Sequence, residues 1–174
     1  MILIGQKAPE WSATAHVRGE QKIIGSADFR GKWYVLYWYP MDFTHICPTE
    51  IEGFQSLLDD FADEKTELIG VSTDSFFSHK AWFADRNTFA QEITHPIVAD
   101  TNHALSLAFG VLKEDLGVAF RATAIIDDQG VLRAISINDL SVGRNPREVL
   151  RTIQALRSGG LCAAGWKKGD RFVG

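Results

Sequence analysis

The sequence predicts an α/β domain built on a mixed central sheet with helices on both faces, and three observations carry that reading. A continuous apolar and aromatic run, Trp33-Tyr34-Val35-Leu36-Tyr37-Trp38-Tyr39, follows the turn residues Arg30-Gly31-Lys32 and stops at Pro40, as a fully buried central strand does. Downstream, strand-like and helix-like segments alternate, which favours parallel pairing through crossovers. Lastly, Asp127-Asp128-Gln129-Gly130 separates two strand-like runs and is the clearest hairpin signal in the chain.

The elements follow in order. Pro48 suits the first turn of a helix, and Ile51, Phe54, Leu57, Leu58 and Phe61 recur at helical spacing, so a helix begins beside Cys47. Glu67-Leu68-Ile69-Gly70-Val71-Ser72 reads as a second buried strand, and residues 78–84, with Trp82 and Phe83, as a second helix. Pro96-Ile97-Val98-Ala99-Asp100 is a short strand, and residues 103–109 a short helix ending at Gly110. Residues 120–126 and 131–137 flank the hairpin turn. Pro146 opens a last helix through Val149, Leu150, Ile153 and Leu156, which Ser158-Gly159-Gly160 closes. Residues 161–174 have no strong periodicity and read as an arm, which carries Cys162. Two parallel crossovers followed by an antiparallel hairpin make the layout thioredoxin-like.

At 174 residues the chain fits one domain, and its 45% apolar and 23% charged composition is that of a globular protein rather than a disordered or repetitive one. A net charge of -4, with no basic stripe beyond Lys167-Lys168, gives no electrostatic drive toward nucleic acid. No apolar run reaches membrane-spanning length, and Met1-Ile2-Leu3-Ile4-Gly5 lacks the basic flank and the length of a signal peptide; a cytoplasmic protein is expected. The two cysteines lie far apart in sequence. They read as free thiols or a catalytic redox pair, or as two unrelated buried residues acting as small hydrophobes.

The nucleophile of thiol chemistry is the thiolate, and an unperturbed thiol, with a pKa of about 8.5, is mostly protonated at neutral pH. Cys47 stands at a loop-to-helix junction after a buried strand, where unpaired backbone N–H groups and the helix dipole favour an anion. Ligand sites of α/β sheets also lie there. Thr44, three residues earlier, is placed to offer the sulfur a hydroxyl. A Cys-x-x-Cys dithiol is absent, because position 50 is Glu, so the thiol partner is Cys162 or an outside thiol.

Pro40-x-x-x-Thr44-x-x-Cys47, set in Asp42-Phe43-Thr44-His45-Ile46-Cys47-Pro48-Thr49-Glu50, resembles the active-site signature of peroxiredoxins. The similarity extends over nearly the whole chain through Gly5-Gln6-Lys7-Ala8-Pro9, Val71-Ser72-Thr73-Asp74-Ser75, His79-Lys80-Ala81-Trp82, Phe120-Arg121-Ala122-Thr123 and Ile137-Asn138-Asp139. It is nearest to the typical two-cysteine subgroup that includes alkyl hydroperoxide reductase C.

The resemblance implies that residues 1–160 are a thioredoxin-like peroxidase domain. In it Cys47 attacks hydrogen peroxide and organic hydroperoxides and becomes a sulfenic acid. Thr44 and Arg121 would bind and polarise the peroxide, Pro40 would shield the sulfur from water, and Glu50 would hold Arg121. Cys162 resembles the resolving cysteine, supplied by the partner subunit. That implies a homodimer, in many members assembled into a ring of five dimers, with thioredoxin or a flavoprotein disulfide reductase as electron donor. No cofactor and no metal are implied.

Other readings of these residues are plain. Arg121, by spacing alone, is an ordinary strand-face cation, and Glu50 a first-turn acid favoured by the helix dipole. His45 and Cys47 lack a second ligand pair at zinc spacing. His16, His79, His95 and His103 are scattered and read as surface or structural residues; Trp82, Phe83 and Phe77 read as core or interface packing. A rival function is a non-enzymatic thioredoxin-like thiol-binding or holdase module in which Cys47 is structural.

The chain departs from many relatives at three places. His45 replaces an apolar aromatic residue, residues 89–97 lack a Gly-Gly-x-Gly insertion, and no Tyr-Phe tail is present. The last two argue against a peroxide-sensing or chaperone-switch role and for resistance of Cys47 to overoxidation. The segment after Cys162 is short, and weak anchoring is expected of it.

Overall fold

A computed structural model describes residues 4–174. Met1, Ile2 and Leu3, part of the segment read as too short for a signal peptide, lie outside the described residues. The strands are β1 (Ser12–Val17), β2 (Glu20–Gly25), β3 (Trp33–Trp38), β4 (Thr66–Ser72), β5 (Ile97–Ala99), β6 (Leu112–Lys113), β7 (Val118–Ala119), β8 (Arg121–Ile126) and β9 (Leu132–Asn138). The helices are α1 (Cys47–Gln55), α2 (Leu58–Asp63), α3 (Phe76–Phe83), α4 (Ala104–Ala108) and α5 (Pro146–Ser158).

Seven strands form one sheet in the order β2-β1-β5-β4-β3-β8-β9, and β6 and β7 form a separate ribbon. The pairs β3–β4 and β4–β5 are parallel, while β8 runs antiparallel to both β3 and β9. This is the expected mixed sheet, and its core explains the aromatic run. Val35, Tyr37 and Tyr39 face one side with Ile51, Phe54, Phe61, Trp82 and Ile153; Tyr34, Leu36 and Trp38 face the other with Leu105 and Phe109. Successive strand residues point to opposite faces, so a strand covered by helices on both sides is apolar at every position.

Several features differ from the sequence reading, among them the β6–β7 ribbon, which was not anticipated. The β1–β2 hairpin was not anticipated: Arg18 and Gly19 form its two-residue turn with φ of 51° and 82°, the positive pair that tight hairpins need. The helix expected to run from Cys47 through Phe61 is instead two, broken at Ser56 and Leu57. There the Ser56 hydroxyl donates to Gly53 O at 2.8 Å, back-bonding that bends helices. Leu57 and Phe61 stay buried despite the break.

The last helix behaves as read. The Asn145 side chain caps it by accepting from Arg147 N at 3.0 Å, Pro146 follows, and Gly159 ends it at φ 71°. Residues 161–174 hold no helix or strand but fold back on α5. Trp166, 5% exposed, stacks on Phe172 at 5.7 Å, and Arg151 Nη1 donates to Trp166 O at 2.8 Å. The arm is thus anchored by the buried Trp166, with the exposed Phe172 stacked over it, contrary to the weak hold expected of so short a segment.

Candidate active site

The site is built where β3 leaves the sheet. Tyr39 continues the strand, donating its N–H to Val71 O at 3.0 Å, and Pro40 ends it. The following loop is shaped by Asp42, whose buried carboxylate accepts from Tyr39 Oη, Ser78 Oγ and His79 Nδ1, each at 2.8 Å. Asp42 N donates to Asp74 Oδ2 at 2.9 Å. Burial and the neighbouring Asp42 push the Asp74 carboxyl above its ordinary value. This tie between loop and α3 brings Phe43 round at φ 56°, an unusual conformation for a bulky residue.

The loop delivers Cys47 as the first residue of α1, with Pro48 second and the sulfur wholly out of solvent contact. Arg121 opens β8, the strand antiparallel to β3, and its Nη1 donates to Cys47 Sγ at 3.3 Å. A guanidinium and a helix N-terminus therefore converge on one buried sulfur.

Glu50, one turn into α1, organises the cations. Its Oε2 accepts from Arg121 Nη1 at 2.7 Å and from Arg144 Nη2 at 3.0 Å; its Oε1 accepts from Arg144 Nε at 2.9 Å and Arg144 N at 2.8 Å. Burial by itself would push the Glu50 carboxyl up, but the hydrogen bonds and charge of Arg144, joined by the charge of Arg121, hold it below the ordinary carboxylate range. Arg121 Nε donates to Leu140 O at 2.7 Å, and Arg144 lies 5.5 Å over the Tyr37 ring and also donates to Ala122 O. The fork of Arg121 is thus oriented from three sides.

Five of the six residues singled out from sequence stand together here: Pro40, Thr44, Cys47, Glu50 and Arg121 occupy the loop, the first turn of α1 and the start of β8. Pro40 is buried beside the junction. Thr44 Oγ1, expected near the sulfur, donates its hydrogen to Met41 O at 2.8 Å. His45 is exposed. Cys162 stands apart, half-buried at the last turn of α5, with Ser158 Oγ at 3.4 Å from its sulfur.

Sequence reasoning missed Arg144, Asp42 and His79. Arg144 lies in an undistinguished loop, and the only available signal was that a buried glutamate binding one arginine leaves acceptor sites over. Asp42 is buried, as are His16, His79 and His95, so the histidines read as surface or structural are structural at three positions. Among the described residues no three His, Cys, Asp or Glu side chains are placed to hold a metal ion. A cavity of about 530 Å³ between β1 and α4 is lined by Trp11, Ile23 and Asp100 and by no cysteine.

Comparison with known proteins places the whole chain. Residues 4–135 match the AhpC/TSA family. The chain is 47% identical to mouse (Mus musculus) peroxiredoxin-2, over 98% of this chain and 89% of that one. It is 43% identical to a thioredoxin peroxidase of Echinococcus granulosus, over 97% and 91%. The reduced 2-Cys peroxiredoxin of Plasmodium vivax superposes with a TM-score of 0.92 at 34% identity, covering 97% of this chain and 91% of that one. By these likenesses, which run along nearly its whole length, the chain belongs to the AhpC/TSA family as a peroxiredoxin, a thiol-dependent peroxidase.

Proposed function

We propose that Cys47 is the attacking thiolate and Cys162 the resolving thiol of the partner subunit. The Cys47 sulfur attacks the outer oxygen of hydrogen peroxide or an organic hydroperoxide; the S–O bond forms as the O–O bond breaks, leaving a sulfenic acid and, after protonation, water or an alcohol. The observation that carries this reading is the Arg121 guanidinium bonded to both the Cys47 sulfur and Glu50. There it stabilises the thiolate and the charge growing on the leaving oxygen. Thr44, its own hydrogen spent on Met41 O, offers Oγ1 as acceptor for the peroxide hydrogen. Pro40 keeps water from the sulfur. The rival reading, a non-enzymatic holdase with a structural Cys47, leaves an arginine aimed at one buried thiol, and a glutamate and second arginine that hold it, without a purpose.

The attack of Cys162 on the sulfenic sulfur forms the S–S bond and releases water. That this occurs between subunits is supported by position. Arg157, in the last turn of α5 beside Cys162, stacks 5.2 Å over Trp33 at the start of β3, whereas Cys47 follows the end of that strand. Five strand steps separate those ends by roughly 17 Å. A homodimer through β9 is supported by its place at the sheet edge and by Ile137 and Val142, 48% and 56% exposed. Exposed Met41, Phe43 and Phe77 support further assembly into a ring.

Residues 161–174 serve as the arm that carries Cys162 across, and thioredoxin or a flavoprotein disulfide reductase reduces the disulfide. The protein acts in the cytoplasm; among the described residues no helix is long and apolar enough to cross a membrane. An NAD(P)H-coupled assay with each donor tests the scheme. Cys47→Ser is expected to lose all turnover, and Cys162→Ser to keep one peroxide reduction while losing donor-linked cycling. Full activity in Cys47→Ser would end the assignment.

A further inference from the structure

The far end of α1 is held by groups outside the chemistry just described. Gln55, its last residue, accepts at Oε1 from Thr94 N at 2.9 Å and bonds His95 Nδ1 at 2.8 Å, while its Nε2 donates to Thr94 Oγ1 at 2.9 Å. The Thr94 N–H identifies Oε1 as the acceptor, so His95 carries its proton on Nδ1 and its Nε2 must accept. Tyr37 Oη supplies that hydrogen at 2.7 Å. Burial drives His95 down to about 3, so the ring stays neutral and this pattern persists through the working pH range. All four side-chain groups are therefore matched donor to acceptor in a buried chain from β3 to α1.

Two further contacts bind the same stretch. Glu52 Oε1 accepts from Ala90 N at 2.7 Å, and Tyr37 stacks on Phe54 at 4.2 Å. The segment before β5 thus grips α1 from Glu52 onward, on the side away from Cys47. The opposite end must move: a Cys47 sulfur with no solvent exposure cannot meet a second thiol without leaving its pocket. A nine-residue helix has little stability of its own, so what holds its far end decides how far it opens.

We propose that Tyr37, His95 and Gln55 are positioning residues that latch the rear of α1 and set the rate at which oxidised Cys47 swings out to form its disulfide. The proposal rests on the Cys47–Cys162 reading above. While the latch holds, unwinding is confined to the turn between Cys47 and Glu52. Once it is cut, the whole helix opens, the sulfenic acid reaches Cys162 sooner, and less of it waits for a second peroxide. The first step is untouched, because none of the three residues bonds Cys47, Arg121 or Glu50.

Rapid-quench mass spectrometry on the full-length protein separates the two steps: sulfenic acid formation, proportional to peroxide, and disulfide formation, independent of it. In Gln55→Met, which removes all three contacts, the second step is expected to rise about five- to tenfold, a net effect of about 1–1.4 kcal/mol, with the first step within twofold of wild type. The sulfinic fraction at high peroxide should fall in proportion. Tyr37→Phe, a milder change that keeps the ring stack, should shift the second step the same way by about two- to fivefold. Gln55→Glu keeps the acceptor for Thr94 N and His95 and should keep the wild-type rate. Unchanged second steps in both cutting variants, or equal changes in both steps, would overturn the latch while leaving the peroxidase intact. Absence of any peroxide-dependent step in the wild type would overturn the underlying assignment and the latch with it.

Discussion

Replacing Arg144 by methionine removes one of the two cations on Glu50 while keeping much of the aliphatic stem that packs near Tyr37 and Phe54. Two side-chain hydrogen bonds to Glu50 and one to Ala122 O are lost, and both partners of the ion pair are almost fully buried, at 4% and 1% side-chain exposure. The backbone bond from position 144 can survive, and Arg121 still neutralises the carboxylate. The cost therefore falls at the low end of the range for a broken buried pair, about 3 kcal/mol. For a chain of this size that corresponds to a drop in Tm of roughly 6–12 °C.

Arg121 also loses the support that fixes its carboxylate anchor. If the equivalent of one hydrogen bond to a charged group, about 1.5–3 kcal/mol, is lost from the transition state, oxidation of Cys47 slows by roughly 10- to 100-fold. Glu50 is held below its ordinary pKa in the folded protein, so its contribution to stability is complete above its unfolded value and disappears as pH falls through the folded one. The Tm difference between wild type and variant is therefore expected to be largest near neutrality and to shrink in acid. Thermal melts across pH, with single-turnover oxidation under excess peroxide, measure all three effects. A variant melting within 2 °C of wild type and oxidising at the same rate would mean that Arg121 alone holds Glu50.

Three further outcomes are expected. Peroxide-treated protein should run as a covalent dimer on non-reducing gels and Cys162→Ser as a monomer; a wild-type monomer band alone would place the bridge within one chain or remove it. Cys47 should resist sulfinic acid formation at low micromolar peroxide, because the hydrogen bonds of residues 89–95 to α1 reach Glu52 and Gln55 and leave the Cys47 turn uncovered. Counting sulfinylated Cys47 against disulfide by mass spectrometry checks this, beside a sensitive relative. Trp166→Ala should release the arm, so that trypsin cuts at Lys167 and Lys168 much faster while the Tm changes by only about 2 °C, the stacked pair lying outside the core; a melt lowered by 10 °C would make Trp166 part of the fold's foundation.

What could be read from the sequence was whatever depends on local pattern. The run from Trp33 to Tyr39 announced a covered strand because every residue is apolar, and Pro146 with Gly159 marked the ends of α5 because caps are local chemistry. Strand β1 escaped because Ser12, Thr14 and His16 alternate with alanines, leaving no apolar face strong enough to notice. The break after Gln55 escaped because Leu57 and Phe61 stay buried through the bend, so the helical spacing of apolar residues continues across it.

At the site, Cys47, Glu50 and Arg121 were accessible through a motif, but the second arginine was not. Arg144 meets Glu50 across 94 positions, and nothing near it in sequence predicts that meeting. Thr44 shows the converse limit: spacing put its hydroxyl within reach of the sulfur, and the carbonyl of Met41 took the hydrogen instead.

The grouping of Arg121 and Arg144 with Glu50 and Cys47 has an arithmetic of its own. With the sulfur ionised, two positive and two negative charges sum to zero in a region closed to solvent, the condition under which burying them is least costly. In the proposed reaction, transfer of an oxygen atom would turn the sulfur into a neutral sulfenic acid and leave one positive charge without a counterpart. The closed arrangement therefore suits the reduced enzyme and is strained by its own product, so that turnover itself loosens the grip on Cys47. A sulfinic acid, ionised at neutral pH, restores the zero sum. Neutrality thus favours the two end states, reduced and irreversibly spent, and expels the intermediate between them.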